Sequence, residues 1–236
     1  MECIVGQDKA RVGELPRDTQ RMASKEAPGK RRERRTQAER RAATRTALLD
    51  AAIECLVEQG YARTTTRGIA RRAGVTPGAL QHHFASKAEL LSETIGHIRA
   101  KWIGEVFAQP VASTTSMRKR HEELLDRTWG MYRGPLFVAL LELAIGARTD
   151  PALRKHAAGA NNELKRWNEM TALVVYPDHA DRSEPVQLIA SGQAMMRGLA
   201  LMGLAGEADP DQVWPTTREH ILAMSAHILG DPELAP

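Results

Sequence analysis

The chain has 236 residues, 42% hydrophobic and 26% charged, which is enough apolar material for a sizeable core and excludes a disordered or peptide-like class. Its two cysteines, Cys3 and Cys55, exclude a disulfide framework. No uninterrupted apolar run of about 18 residues and no basic-then-apolar leader points to a membrane or to export, so a cytoplasmic protein is expected. The net charge of +4 is unevenly spread: residues 30–90 carry 13 basic and 6 acidic side chains, whereas residues 91–236 carry 15 and 18. Such a local surplus suits a polyanionic partner through counterion release, or else a solvated basic face.

In chain order, residues 1–36 read as a flexible basic arm. They lack apolar periodicity, contain Pro16, Pro28 and Gly29, and end in the run Lys30, Arg31, Arg32, Glu33, Arg34, Arg35. Met22 is an alternative first residue. The arm is either a solvated tail or a transient contact to phosphate or minor groove. Leu48, Ala51, Ala52, Cys55 and Leu56 then recur at amphipathic-helix spacing and predict a helix over 37–59, stopped by Gly60. Thr64, Thr65 and Thr66 offer capping oxygens for a short helix over 67–73, and Gly74 supplies the sharp exit. Thr76 is placed as the cap of the next helix, with Pro77 at its first position. Leu80 and Phe84 point inward. Ser86 and Glu89 have capping-box spacing and predict a longer helix from Lys87 through Leu90, Leu91, Ile95 and Ile98. Breaks at Gly134-Pro135, Asp150-Pro151, Pro177, Pro185 and Asp209-Pro210 predict further helices over 117–133, 135–147, 151–175, 185–205 and 210–229. The only β-branched run, Ala172 to Tyr176, is too short to need a sheet. The expected fold is all-α: the arm, an N-terminal three-helix domain over 37–100, and a larger helical domain over 101–230.

Helix, glycine-containing turn, helix is the helix-turn-helix plan, in which the second helix enters the major groove. Thr76, Pro77, Gly78 and Ala79 leave that helix slim at its tip, so bases and phosphates can approach, and its free N–H groups favour phosphate. Over residues 48–90 the segments LLDAA, GYARTTTRGIARRAGVTPGAL and HHFASKAELL resemble the DNA-binding domain of the tetracycline-repressor (TetR) family. The resemblance covers about a fifth of the chain. It implies that Thr65, Thr66, Arg67 and Lys87 contact phosphate, and that Thr76, Pro77, Gly78, Ala79, Gln81, His82 and His83 lie where bases or flanking phosphates are read. Gln81 and His83 stand where the family often has tyrosine, and Gly68 where a carboxylate is frequent, so the operator sequence does not transfer. A metal site at His82-His83 is disfavoured, because adjacent residues on a helix diverge by about 100°.

The family likeness further implies an effector cavity and a dimer interface in residues 101–230. The helix over 187–205 is apolar on nearly all sides and, with the last helix, would form a four-helix bundle across a two-fold axis. Trp129, Tyr132, Phe137, Leu141, Glu142, Trp167 and Met170 are candidate walls for a small hydrophobic effector, Glu142 accepting from the ligand or from an arginine. No Gly-rich phosphate loop, metal-ligand spacing or GxSxG motif supports an enzyme, and no cofactor is implied. The expected function is a homodimeric repressor released from a palindromic operator by its effector. The alternative is a DNA-organising or interaction protein of the same fold with no inducer.

Overall fold

Prolines and capping side chains punctuate the chain where its helices begin. The computed structural model describes residues 36–106, 108, 116–157 and 160–234; the basic arm and Met22 lie outside the described residues. Ten α-helices are described, with no strand among them: α1 (Gln37–Arg63), α2 (Thr66–Arg72), α3 (Pro77–His83), α4 (Lys87–Val106), α5 (Met117–Tyr132), α6 (Pro135–Thr149), α7 (Pro151–Ala157), α8 (Ala160–Val175), α9 (Glu184–Ala205) and α10 (Pro210–Leu229). Pro77, Pro135, Pro185 and Pro210 each sit in a first helical turn, where the missing N–H removes no hydrogen bond. The Ala172 to Tyr176 run belongs to the end of α8 and its exit.

Three boundaries differ from the sequence expectation. Gly60 takes φ 73° and breaks the helical path, but the chain resumes helical geometry to Arg63, so α1 is a kinked unit instead of ending at 59. Only Thr65 of the three threonines caps α2, accepting from Gly68 N–H at 3.1 Å; buried Thr64 instead donates to the Gly60 carbonyl at 2.7 Å. The expected helix over 151–175 is described as α7 and α8, with residues 158–159 outside the described set.

α1 to α4 close around Leu48, Leu56, Ile69, Leu80, Phe84 and Leu91, all almost fully buried. That same cluster includes Ala139 and Leu143 of α6 and Leu153 of α7. The head therefore shares its core with the larger helical region, and α4 runs through the expected boundary at residue 100 without a break. Asp50 of α1 clamps α4 by accepting from His97 Nε2 and Lys101 Nζ, each at 2.7 Å. Burial raises the Asp50 pKa, but the bonds from Lys101 and His97 together outweigh it and hold it below the usual carboxylate range.

A second cluster centres on Trp129 of α5 and Trp214 of α10, stacked at 5.0 Å and 12°. Asp126 ties these helices, accepting from Trp214 Nε1 at 2.8 Å and Arg218 at 2.7 Å. α9 is apolar and long enough to cross a membrane by composition alone. Packing against α8 and α10 buries Leu188, Gly192, Met196 and Leu199, while Met195, Leu201, Met202 and Leu204 stay exposed.

Candidate nucleic-acid interface and ligand cavity

The tip of α3 is built by two local devices. Thr76 accepts from Ala79 N–H at 3.1 Å, fixing the first turn, and Gly74 exits α2 with φ 69°. Leu80 and Phe84 anchor the opposite face in the head core. Thr76, Pro77, Gly78, Gln81 and His82 are left exposed, with Ala79 and His83 half-buried. The entry to α4 is also capped: Ser86 accepts from Glu89 N–H at 3.0 Å, while the Glu89 carboxylate reaches Ala85 N–H, one residue before the cap.

The cations around the tip divide into two kinds. Arg72 is bound to Glu54 and Glu58 of α1, so it fastens α2 to α1. Arg67 is exposed and, among the described residues, pairs with no carboxylate. Thr65 is exposed and Thr66 half-buried at the start of α2. Lys87 is half-buried, its ammonium 4.5 Å from the centre of the Tyr61 ring; burial lowers its pKa while Asp150 opposes the shift. His83 is held below its usual pKa by burial, then by the nearby charges of Arg41, His82 and Arg45, so it is neutral at neutral pH. Arg41 of α1 therefore lies near α3, whereas Arg45 is ion-paired with Glu93 of α4 and sits 5.2 Å over the Phe84 ring, so it fastens α1 to the rest of the head. The sequence reading missed them; their i, i+4 spacing on one helix face was the available signal. No three His, Cys, Asp or Glu side chains among the described residues are arranged to hold a metal ion.

A joint connects this head to α6. The Tyr61 backbone N–H donates to Glu142 Oε2 at 2.7 Å, and its hydroxyl donates to Asp150 at 2.5 Å. Burial, with Asp150 adding to it, pushes the Tyr61 pKa up to about 12. The Tyr61 ring lies so close over Gly146 that an added Cβ would overlap it. Glu142 consequently points at the kink of α1, and among the described residues no arginine forms an ion pair with it.

Behind the joint lies a cavity of about 440 Å³ between α4, α5, α8 and α9. Of the seven candidate wall residues, Tyr132, Trp167 and Met170 line it. Trp129 does not, because it is spent on the stack with Trp214; Phe137 packs edge-on against Tyr132 at 5.2 Å on the far side. Leu141 and Glu142 sit on other faces of α6, whose Leu140 reaches the cavity instead. Several lining residues escaped the sequence reading, notably Trp102 on α4 and the pair His121 and Tyr176. His121 Nε2 is 3.1 Å from the Tyr176 hydroxyl, which donates to Ser225 at 3.0 Å. Burial, with Arg118 nearby, lowers the His121 pKa to about 4. α4 is common to both sites, starting beneath α3 and ending in the cavity wall.

Comparison with known proteins gives a consistent likeness. Residues 48–94 match the family model described as bacterial regulatory proteins, tetR family. An uncharacterized HTH-type transcriptional regulator of Mycobacterium bovis is 34% identical over 121 residues, 51% of this chain and 62% of that protein. The match thus spans less than two thirds of that relative. The crystal structure of a putative TetR-family transcriptional regulator from Rhodococcus sp. superposes with a TM-score of 0.59 at 23% identity, covering 76% of this chain and 95% of the other. A putative transcriptional regulator from Saccharomonospora viridis, solved in complex with choline, superposes with a TM-score of 0.55 at 17% identity, covering 79% and 97%. At these identities the two structures bear on the fold alone.

Proposed function

We propose that this chain is a DNA-binding regulator of the tetR family, a reading supported by the family match over residues 48–94 and the likeness to HTH-type regulators, and that it is a homodimeric repressor whose paired α3 helices read a palindromic operator until a small effector fills the cavity. The observation that carries this reading is the exposed α3 tip from Thr76 to His82, capped, slim and flanked by Arg41 and Arg67. In this reading Gln81 and His82 reach base edges. Thr65, Thr66, Arg67 and Lys87 set register on phosphates, Lys87 by swinging off the Tyr61 ring. The protein works in the cytoplasm, where its operator is.

Dimerisation is supported by apolar side chains left exposed on α9 and α10: Met195, Leu201, Met202, Leu204, Val213 and Ile228. Exposed apolar side chains of this kind on two adjacent helices suit a four-helix bundle formed with a second copy. Release follows if a ligand favours one head spacing over another, and α4 is the element both sites share. A DNA-organising protein of the same fold has no use for a cavity of this size, which favours the ligand-released reading. The choline complex of the Saccharomonospora viridis neighbour supports small-molecule binding by this architecture. A gel shift with the DNA flanking the protein's own gene is the test: a discrete complex abolished by self-competitor but not by random duplex is expected, and binding indifferent to sequence would overturn the proposal.

A further inference from the structure

Among the described lining residues the charged side chains are all positive, and the other polar ones, Gln193, Thr128 and Thr171 among them, are neutral. Arg99 of α4, Arg166 of α8 and Arg197 of α9 line it, and no Asp or Glu is among the described lining residues. Arg166 and Arg197 are exposed, which places them at the mouth; Arg197 also donates to the Tyr132 hydroxyl. Among the described residues no carboxylate pairs with either. Deeper in, Trp102 Nε1 is buried with no hydrogen-bond partner, and an indole N–H can only donate. Burial keeps His121 neutral at neutral pH, so it neither adds to nor cancels the charge of the arginines. The rest of the wall is apolar: Ile103, Leu124, Leu125, Met170, Leu188 and Met196.

We infer that the ligand of this cavity is an amphipathic organic carboxylate, its apolar body among the leucines and methionines and its anionic head between Arg166 and Arg197. The inference rests on the effector reading above and specifies the ligand class. A cation would meet the positive charges of Arg166 and Arg197 at the mouth, with no Asp or Glu among the described lining residues. A neutral chain would bury its body equally well but make no charge-assisted bond with the guanidiniums. Guanidinium matches a carboxylate by two parallel N–H···O bonds, a geometry no ammonium or alcohol head reproduces. This chain therefore differs in ligand charge from the neighbour that holds choline, a quaternary ammonium.

The test uses three probes with one ten-carbon tail: decanoate, 1-decanol and decyltrimethylammonium. Binding to the full chain is read by titration calorimetry at neutral pH, with Trp102 and Trp167 fluorescence as a second readout. Decanoate is expected to bind about tenfold or more tighter than decanol, and the ammonium more weakly than either. The double variant Arg166→Gln, Arg197→Gln is expected to lose the preference for decanoate while binding decanol as before, which also shows that the cavity remains folded. Equal or tighter binding of the ammonium, no binding of any probe, or a decanoate preference unchanged in the double variant would overturn the inference. Operator release is measured separately by gel shift. Decanoate that binds but leaves the operator complex intact contradicts the effector reading and not the ligand class; a chain that binds operator but not decanoate does the reverse.

Discussion

His121 is a titratable side chain placed where charge is expensive, 2% exposed and bonded to Tyr176. Its folded pKa of about 4 lies below the ordinary histidine value of 6.5, so the unfolded chain binds a proton between those values that the folded chain refuses. The contribution of neutral His121 is therefore fully present above about pH 6.5 and is lost as pH falls toward 4, amounting to about 3 kcal/mol in all. Urea unfolding at pH 7.5 and 4.5 checks this: the wild type is expected to lose more stability between the two pH values than His121→Gln, and equal losses would contradict it. The Tyr61 joint gives a second expectation. Gly146→Ala forces a methyl group into the Tyr61 ring, which Asp150 holds in place, and is expected to cost about 1–3 kcal/mol in thermal unfolding. An unchanged Tm would mean that the ring moves freely. Glu142 shows why this joint was not legible in the sequence. It stands in the apolar run 136–145 with nothing local to mark its partner, and that partner is a backbone N–H 81 residues earlier.

At the level of single helices, the sequence was most readable where structure is decided locally. The Thr76 cap, Pro77 at the first position, the positive φ of Gly74 and the Ser86–Glu89 pair all follow from side-chain chemistry within a few residues, and all stand where the sequence predicts. Boundaries set by tertiary packing were not readable. α4 continues past residue 100 because Trp102 and Val106 find partners on α5 and in the clusters of the larger region, which no feature of α4 itself announces. The cavity was half-readable for the same reason: large residues on the central helices are obvious, but whether Trp129 faces a ligand or Trp214 depends on α10. For α3 the expectation is separable into stability and reading. Thr76→Ala removes the cap and is expected to cost about 1 kcal/mol of stability, measured by urea unfolding. Gln81→Ala, exposed and without partners to lose, is expected to leave Tm unchanged while weakening specific over random duplex binding by about 1–3 kcal/mol. A Gln81 variant that binds its site undiminished would remove α3 from base reading.

For the whole molecule, the decisive relation is between two copies of one exposed helix tip. Leu201 and Leu204 are 39% and 55% exposed on α9, and placing glutamates there opposes like charge across a two-fold interface without touching the core. The variant Leu201→Glu, Leu204→Glu is expected to elute as a monomer in light-scattering chromatography, keep its helical content and lose operator affinity. A dimer unaffected by both charges would move the interface elsewhere. In the proposed function the coupling of cavity to DNA is also a property of the whole, and the elements available to carry it are α4, which lines the cavity, and α6, latched to α1 through Tyr61. The most direct measurement of the central claim is selection of bound sites from a random duplex pool by the full chain at moderate salt, followed by titration of the enriched sequence. The account expects an inverted repeat, bound far more tightly than random DNA and weakened by Gln81→Ala. Enrichment of no sequence, or of one bound equally well by that variant, would contradict it.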